Sequence, residues 1–124
     1  MKAQIIHKFG PPSVFEYADI EKPEVKPGHV LIKVYATSVN PIDCKIRSGA
    51  VHVIAPDFPA VLQSDVAGII DSVAPDVTTF KVGDEVFGRV GGLKNTGGAL
   101  AEYVLAEAKL IAKKPWSSKL LLNT

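Results

Sequence analysis

The strongest helix signal in this chain, at Asn40–Gly49, carries its own start and stop, and it stands in a sequence otherwise cut into short runs. The stretch reads Ser38-Val39-Asn40-Pro41-Ile42-Asp43-Cys44-Lys45-Ile46-Arg47-Ser48-Gly49. Asn40 can cap a helix through its side-chain oxygen, and Pro41 suits the first turn, where its missing N–H costs nothing. Asp43 falls three residues after the cap, where its carboxylate can reach back to a backbone N–H and meets the positive end of the helix dipole. Arg47 follows Asp43 by four, the spacing of a same-face ion pair. Gly49 can end the helix in a left-handed conformation. The spacing predicts a sharp entry from a strand into a helix over Pro41–Ser48.

Around this helix the pattern is one of strands and breakers. Lys2–Lys8 alternates and is closed by Gly10-Pro11-Pro12, and Val14–Ile20 reads as its antiparallel return. Pro27-Gly28 suits a type II turn with glycine at the positive φ. Val30–Val39 is the clearest strand, with Val30, Ile32, Val34 and Ala36 on one face and Leu31, Tyr35 and Val39 on the other. Val51–Leu62 contains Pro56 and Pro59 and reads as a loop. Asp65–Val73 reads as a strand whose internal Gly68 marks a bulge or a tight bend. Ala74–Lys81 is a turn segment, and Glu85–Val90, Ala99–Ala106 and Lys109–Lys113 complete the set. Short strands at close spacing with little helix indicate a mainly β fold: a partly open β-barrel with one or two short helices.

Composition enters by exclusion. The 124 residues make one domain with a real core, and a hydrophobic share of 47% argues against disorder. A net charge of +1 gives no electrostatic case for nucleic acid or for an acidic membrane surface. No run approaches bilayer-spanning length. The single cysteine, Cys44, excludes an internal disulfide framework and fits a reducing compartment, so the chain reads as cytoplasmic. His7, His29 and His52 share no metal-ligand spacing and read as exposed. The glycines between 91 and 98 lie between two strands, not between a strand and a helix. They read as a hairpin loop rather than a phosphate cradle.

Taken as a set and in order, several blocks resemble a known family. They are Ser38–Gly49, Asp65-Val66-Ala67-Gly68, Phe80–Gly88, Gly98–Val104 and Lys114-Pro115. Together they resemble the medium-chain dehydrogenase/reductase superfamily, in its zinc-independent, ζ-crystallin-like quinone oxidoreductase branch. The resemblance implies a GroES-like N-terminal domain over 1–115, normally followed by a Rossmann domain that binds NADPH. On this resemblance the chain is expected to lack that second domain and to end in an atypical tail over 116–124, as a truncated, frame-altered or domain-only chain would. The resemblance also implies that Asn40 lies near the nicotinamide end and that Asp43 supports the same cofactor site once a Rossmann partner is present. Lys45 is implied as the catalytic candidate, orienting a substrate carbonyl. Zinc enzymes of the superfamily place a cysteine at the position of Asn40 and a histidine at that of Ser64; their absence here implies no zinc. Gln63 stands where the family usually has glycine, so a positive φ there would strain the backbone.

The implied function is that of the substrate-side domain of an NADPH-dependent quinone or enone oxidoreductase, inactive alone and binding no cofactor unaided. The implied substrate is a small quinone or α,β-unsaturated carbonyl. From the residues themselves, Asn40 is first a helix cap, Asp43 first a partner for Arg47, and Lys45 first a solvated helix residue. Cys44 has no activating base nearby in sequence, Tyr103 reads as packed in a strand, and the stripe of Leu100, Val104 and Ala106 reads as core. A rival reading is a non-catalytic module that forms a homodimer or otherwise self-associates through the face a lost domain would cover, aided by Leu120-Leu121-Leu122. A co-chaperonin-type ring is a third reading that rests on fold analogy alone.

Overall fold

A computed structural model describes residues 1–91 and 96–114. Along the chain come β1 (Lys2–Ile5), β2 (Glu16–Asp19), β3 (His29–Thr37), α1 (Pro41–Ser48), β4 (Asp65–Val73), β5 (Glu85–Arg89), β6 (Tyr103–Glu107) and β7 (Ile111–Lys113). Single 3-10 turns lie at Pro12–Val14, His52–Ile54 and Ala108–Leu110. β1 and β2 form an antiparallel pair, as the alternation at the N-terminus predicts. The other five strands form an antiparallel sheet in the order β6-β3-β4-β5-β7.

That order forces the sheet to curl. β6 and β7 are opposite edges, yet only residues 108–110 join them. From Glu107 to Ile111 the chain can reach at most about 14 Å. The edges of a flat five-stranded sheet would be about 19 Å apart. The sheet must therefore roll until its edges approach, and because β6 and β7 do not pair, the barrel stays partly open. The mainly β, partly open barrel expected from the sequence is the fold observed, with one α-helix.

The same order corrects the reading of residues 91–98. β5 pairs with β4 and β7, whereas β6 pairs with β3, so the segment between them is a crossover and not a hairpin. Residues 92–95 lie outside the described part. On its way to β6 the chain stitches other backbone together. Gly98, Ala99 and Leu100 donate to the carbonyls of Val61, Gln63 and Leu62, and Glu102 donates to Lys2. Ala99–Ala101 are thus used outside the strand, which is why β6 begins only at Tyr103. β1 likewise stops at Ile5 because Ile6 turns to exchange hydrogen bonds with Ala60, at 3.0 and 2.9 Å.

Turn chemistry follows the sequence. Gly28 has φ +75°, and the His29 N–H donates to the Lys26 carbonyl at 3.1 Å, closing the expected type II turn. Gly49 ends α1 at φ +89°. β3 spans His29–Thr37 rather than reaching Val39, and a bulge at Tyr35 changes its facing. Val34 pairs with Gly68, but Ala36 pairs with Ala67, so the alternation shifts by one. Val30 and Ile32 are buried in the core with Val34 packed against them, while Ala36 is exposed instead of sharing their face.

Two apolar clusters result. Inside the barrel, Val30, Ile32, Val66, Ile70, Val86, Val104 and Ala106 pack together, so Val104 and Ala106 are core as expected, whereas Leu100, the third residue of that stripe, is half-buried outside the cluster. Outside it, Ile46 of α1 packs with Ile6, Val14, Ala55, Ala60 and Leu62. This second cluster seats the helix against the barrel wall. Tyr103 packs in β6, with the Lys22 ammonium 4.0 Å from its ring centre. The tail 116–124, including Leu120-Leu121-Leu122, lies outside the described residues.

Candidate functional site

The end of β3, the start of α1 and the start of β4 meet in a knot of polar side chains. Asn40 holds an extended backbone and stands at the cap, with α1 occupying the expected Pro41–Ser48. The Asn40 N–H donates to Asp43 Oδ2 at 2.8 Å, one half of a capping box. The other half differs from expectation. The Asp43 N–H donates to the Asn40 backbone carbonyl at 2.9 Å, and the Asn40 side-chain oxygen stands beside it without making a cap hydrogen bond of its own. The Asn40 amide nitrogen turns away from the helix and donates to Asp65 Oδ2 at 2.8 Å. Ser38 Oγ donates to the same oxygen at 3.0 Å, and Thr37 Oγ1 donates to the Asp65 backbone carbonyl at 2.7 Å.

Asp43 is buried, and it is not paired with Arg47 as the four-residue spacing suggests. Arg47 Nη1 instead donates to the Gly10 carbonyl at 2.8 Å, tying the helix to the N-terminal segment. Asp43 faces inward on α1, where burial pushes its carboxyl above the usual carboxylate value. The negative charge of Asp65 adds to that rise, and the hydrogen bond from Asn40 opposes it.

The folded protein therefore takes up the Asp43 proton at a higher pH than the unfolded chain does. Its contribution to stability is full below the ordinary value of 3.8 and is lost as pH rises through the raised value. Asp43→Asn keeps an acceptor for the Asn40 N–H without the charge. It is expected to flatten this part of the pH dependence and to be at least as stable as the parent at neutral pH. Asp43→Ala also loses the cap and should cost about 1 kcal/mol. Denaturation of both variants at acidic and neutral pH checks the pair; an Asn variant destabilised equally at both would overturn the account.

Gln63 is the one non-glycine residue with positive φ among the described residues, at +77°, and it is buried. The strain expected at this position is present, and the side chain is held by Thr37 Oγ1, which lies 3.1 Å from Gln63 Oε1. This turn sends neighbouring residues to different cavities. Gln63 lines a cavity of about 200 Å³ with Asp43, Cys44, Phe15, Val39 and Leu62. Ser64 instead lines one of about 520 Å³ with Arg89, Gly91, Gly97, Leu105 and Leu110.

Lys45 is exposed on α1 and lines neither cavity. Asn40 and Asp43 are thus brought together, and Lys45 is not brought to them. Cys44 is exposed beside Asp43. His7 and His52 are exposed as expected. His29 is half-buried, with Nδ1 2.7 Å from the Pro27 carbonyl oxygen. No group of three His, Cys, Asp or Glu stands together as a metal-binding set among the described residues. No helix among them is long and apolar enough to cross a membrane.

Sequence reasoning does not single out Asp65, which lies 25 residues from Asn40. Its signals are an acidic residue opening a strand and its place at the head of the Asp65-Val66-Ala67-Gly68 block, and neither points to Asn40.

Comparison with known proteins gives this geometry a family. Residues 26–116 match the alcohol dehydrogenase GroES-like domain. Over 120 residues the chain is 39% identical to an NADPH-dependent alkenal/one oxidoreductase, chloroplastic, of Arabidopsis thaliana, covering 93% of this chain and 31% of that protein. It is 43% identical over 107 residues to a quinone oxidoreductase of Sus scrofa, covering 86% of this chain and 31% of that one. The solved quinone oxidoreductase of Coxiella burnetii superposes with a TM-score of 0.83 at 34% identity, over 94% of this chain and 37% of that structure. The chain spans about a third of the length of the curated relatives it matches. It belongs to the alcohol dehydrogenase GroES-like domain family, and the relatives it matches include quinone oxidoreductases of the medium-chain dehydrogenase/reductase superfamily.

Proposed function

We propose that this chain is the substrate-side domain of a zinc-free, NADPH-dependent reductase of quinones or α,β-unsaturated carbonyls, and that it has negligible turnover alone. The observation that carries the reading is the Asn40–Asp43–Asp65 knot, whose Asp43 lines the cavity of about 200 Å³, in a domain similar to proteins named for these activities. On this reading residues 1–115 form the domain, 116–124 are an atypical tail, and the protein works in the cytoplasm. Asn40 and Ser64 offer an amide and a hydroxyl, which are poor zinc ligands, where zinc enzymes of the superfamily place cysteine and histidine.

The residues fit one end of the cofactor and not the other. A pyrophosphate seeks free N–H groups at a helix N-terminus. Here the N-terminus of α1 is bordered by Asp43 and Asp65, whose charges repel phosphate. An uncharged carboxamide suits Asn40, which can donate and accept. Asp43 holds the backbone of Asn40 in place. NADPH, when bound, supplies the hydride; a quinone or enone spreads the arriving charge by conjugation and has less need of a Lewis acid. The barrel positions the acceptor and excludes water, and the ammonium of Lys45, if turned inward in the complete enzyme, stabilises the developing oxyanion.

The purified chain is expected to show no NADPH-dependent quinone or enone reduction above background, followed as loss of NADPH absorbance. Turnover that persists through stringent removal of contaminating reductases would refute the proposal. One feature favours a self-associating module as the second reading. The outer face of the sheet carries Tyr35 and Phe87, 66% and 45% exposed, around a shallow groove.

A further inference from the structure

We propose that Asp65 is a positioning residue that fixes the orientation of the Asn40 amide, so that Asn40 presents an N–H donor to the carboxamide oxygen of a bound nicotinamide. The inference rests on the cofactor reading above and deepens it. An asparagine amide has two nearly isosteric orientations, and only its hydrogen-bond partners choose between them. A carboxylate can only accept. With Asp65 Oδ2 at 2.8 Å, the atom facing it must be the amide nitrogen of Asn40.

Asp65 is well placed to impose that choice because its own position is fixed from several sides. It opens β4 and pairs with Arg89, its backbone carbonyl accepts from Thr37, and the same carboxylate oxygen accepts from Ser38. Asn40 is anchored separately, through its N–H to Asp43. Two independent anchors therefore hold the backbone and the amide. One amide hydrogen is engaged by Asp65, and no hydrogen bond to the described residues takes up the second. A group that accepts from it must offer a lone pair, as the oxygen of a carboxamide does. An isosteric neutral residue at 65 could either accept from Asn40 or donate to it, and both orientations would then be populated.

The test reads the Asn40 side-chain amide in the isotope-labelled full chain, its resonance pair identified by its loss in Asn40→Asp. The expected result in the parent is slowed hydrogen exchange of this pair. In Asp65→Asn and Asp65→Ala exchange should quicken about tenfold, the worth of one hydrogen bond to a charged group. Ser38→Ala, which removes a different bond to the same carboxylate, should leave the pair unchanged. Backbone amides of β3 and β4 report whether each variant is folded. Reduced nicotinamide mononucleotide, a fragment of the cofactor that lacks the adenosine half a second domain would hold, is added in large excess as the probe and should shift the Asn40 pair in the parent and not in the Asp65 variants. Unprotected exchange in the parent, or exchange indifferent to residue 65, overturns the positioning role. A protected, Asp65-dependent pair that ignores the nucleotide upholds the positioning and refutes the cofactor reading.

Discussion

Gly68→Val is expected to be the most damaging single substitution in the barrel wall, lowering stability by about 3 kcal/mol or more and Tm by on the order of 10 °C. Strand propensity alone says the reverse, since valine is among the best strand formers and glycine among the worst. Space decides the matter. A Cβ on Gly68 would overlap the backbone carbonyl of Lys33 and crowd the Ile32 side chain. That carbonyl belongs to β3, which is hydrogen-bonded on both edges, so it cannot retreat without breaking a ladder. Gly68→Ala should already incur most of the loss, because the first carbon is the one that collides. Ala67→Val, one residue earlier and facing outward, should change stability by no more than about 0.5 kcal/mol. Chemical denaturation of the three variants checks this. A Gly68→Ala protein as stable as the parent would sink the argument.

Ile46→Ala should cost about 3 kcal/mol, and its effect should be uneven across the molecule. Ile46 is buried at 1% exposure and is the buried residue by which α1 enters the cluster with Ile6, Val14 and Leu62, with Ile42 packed at its margin. An eight-residue helix has no stability of its own in water, so its order depends on that contact. Amides of α1 should lose protection from hydrogen exchange well beyond those of β3 and β4, whose core is the other cluster. Since Asn40 and Asp43 ride on α1, the polar knot should loosen with it. A uniform loss of protection across helix and barrel would show instead that the two clusters unfold as one. Combined with Gly68→Val, the two costs should add, because the sites share no partner.

The site was legible in part. Asn40 and Asp43 stand out from cap chemistry, because a cap is a local pattern and its hydrogen bonds span three residues. Gln63 stands out because a side chain replaces the glycine expected by resemblance, and its φ of +77° agrees. The Asp43–Arg47 pair was misleading, because helical spacing says which residues can meet but not what else competes for them. The Gly10 carbonyl competes for Arg47, and burial removes Asp43 from that face. Asp65 and Thr37 were not legible as site residues, since their partners arrive from distant parts of the chain.

Local sequence by itself determined the helix limits, the type II turn at Gly28 and the position of most strands. Each depends on interactions within a few residues, which the order of side chains encodes directly. The tertiary structure alone decided the strand order, the crossover that replaces a hairpin after β5, the bulge that turns Ala36 outward, and the meeting of Asn40 with Asp65. Those outcomes depend on which distant backbone groups satisfy one another once the sheet has curled, and a linear pattern does not carry that choice.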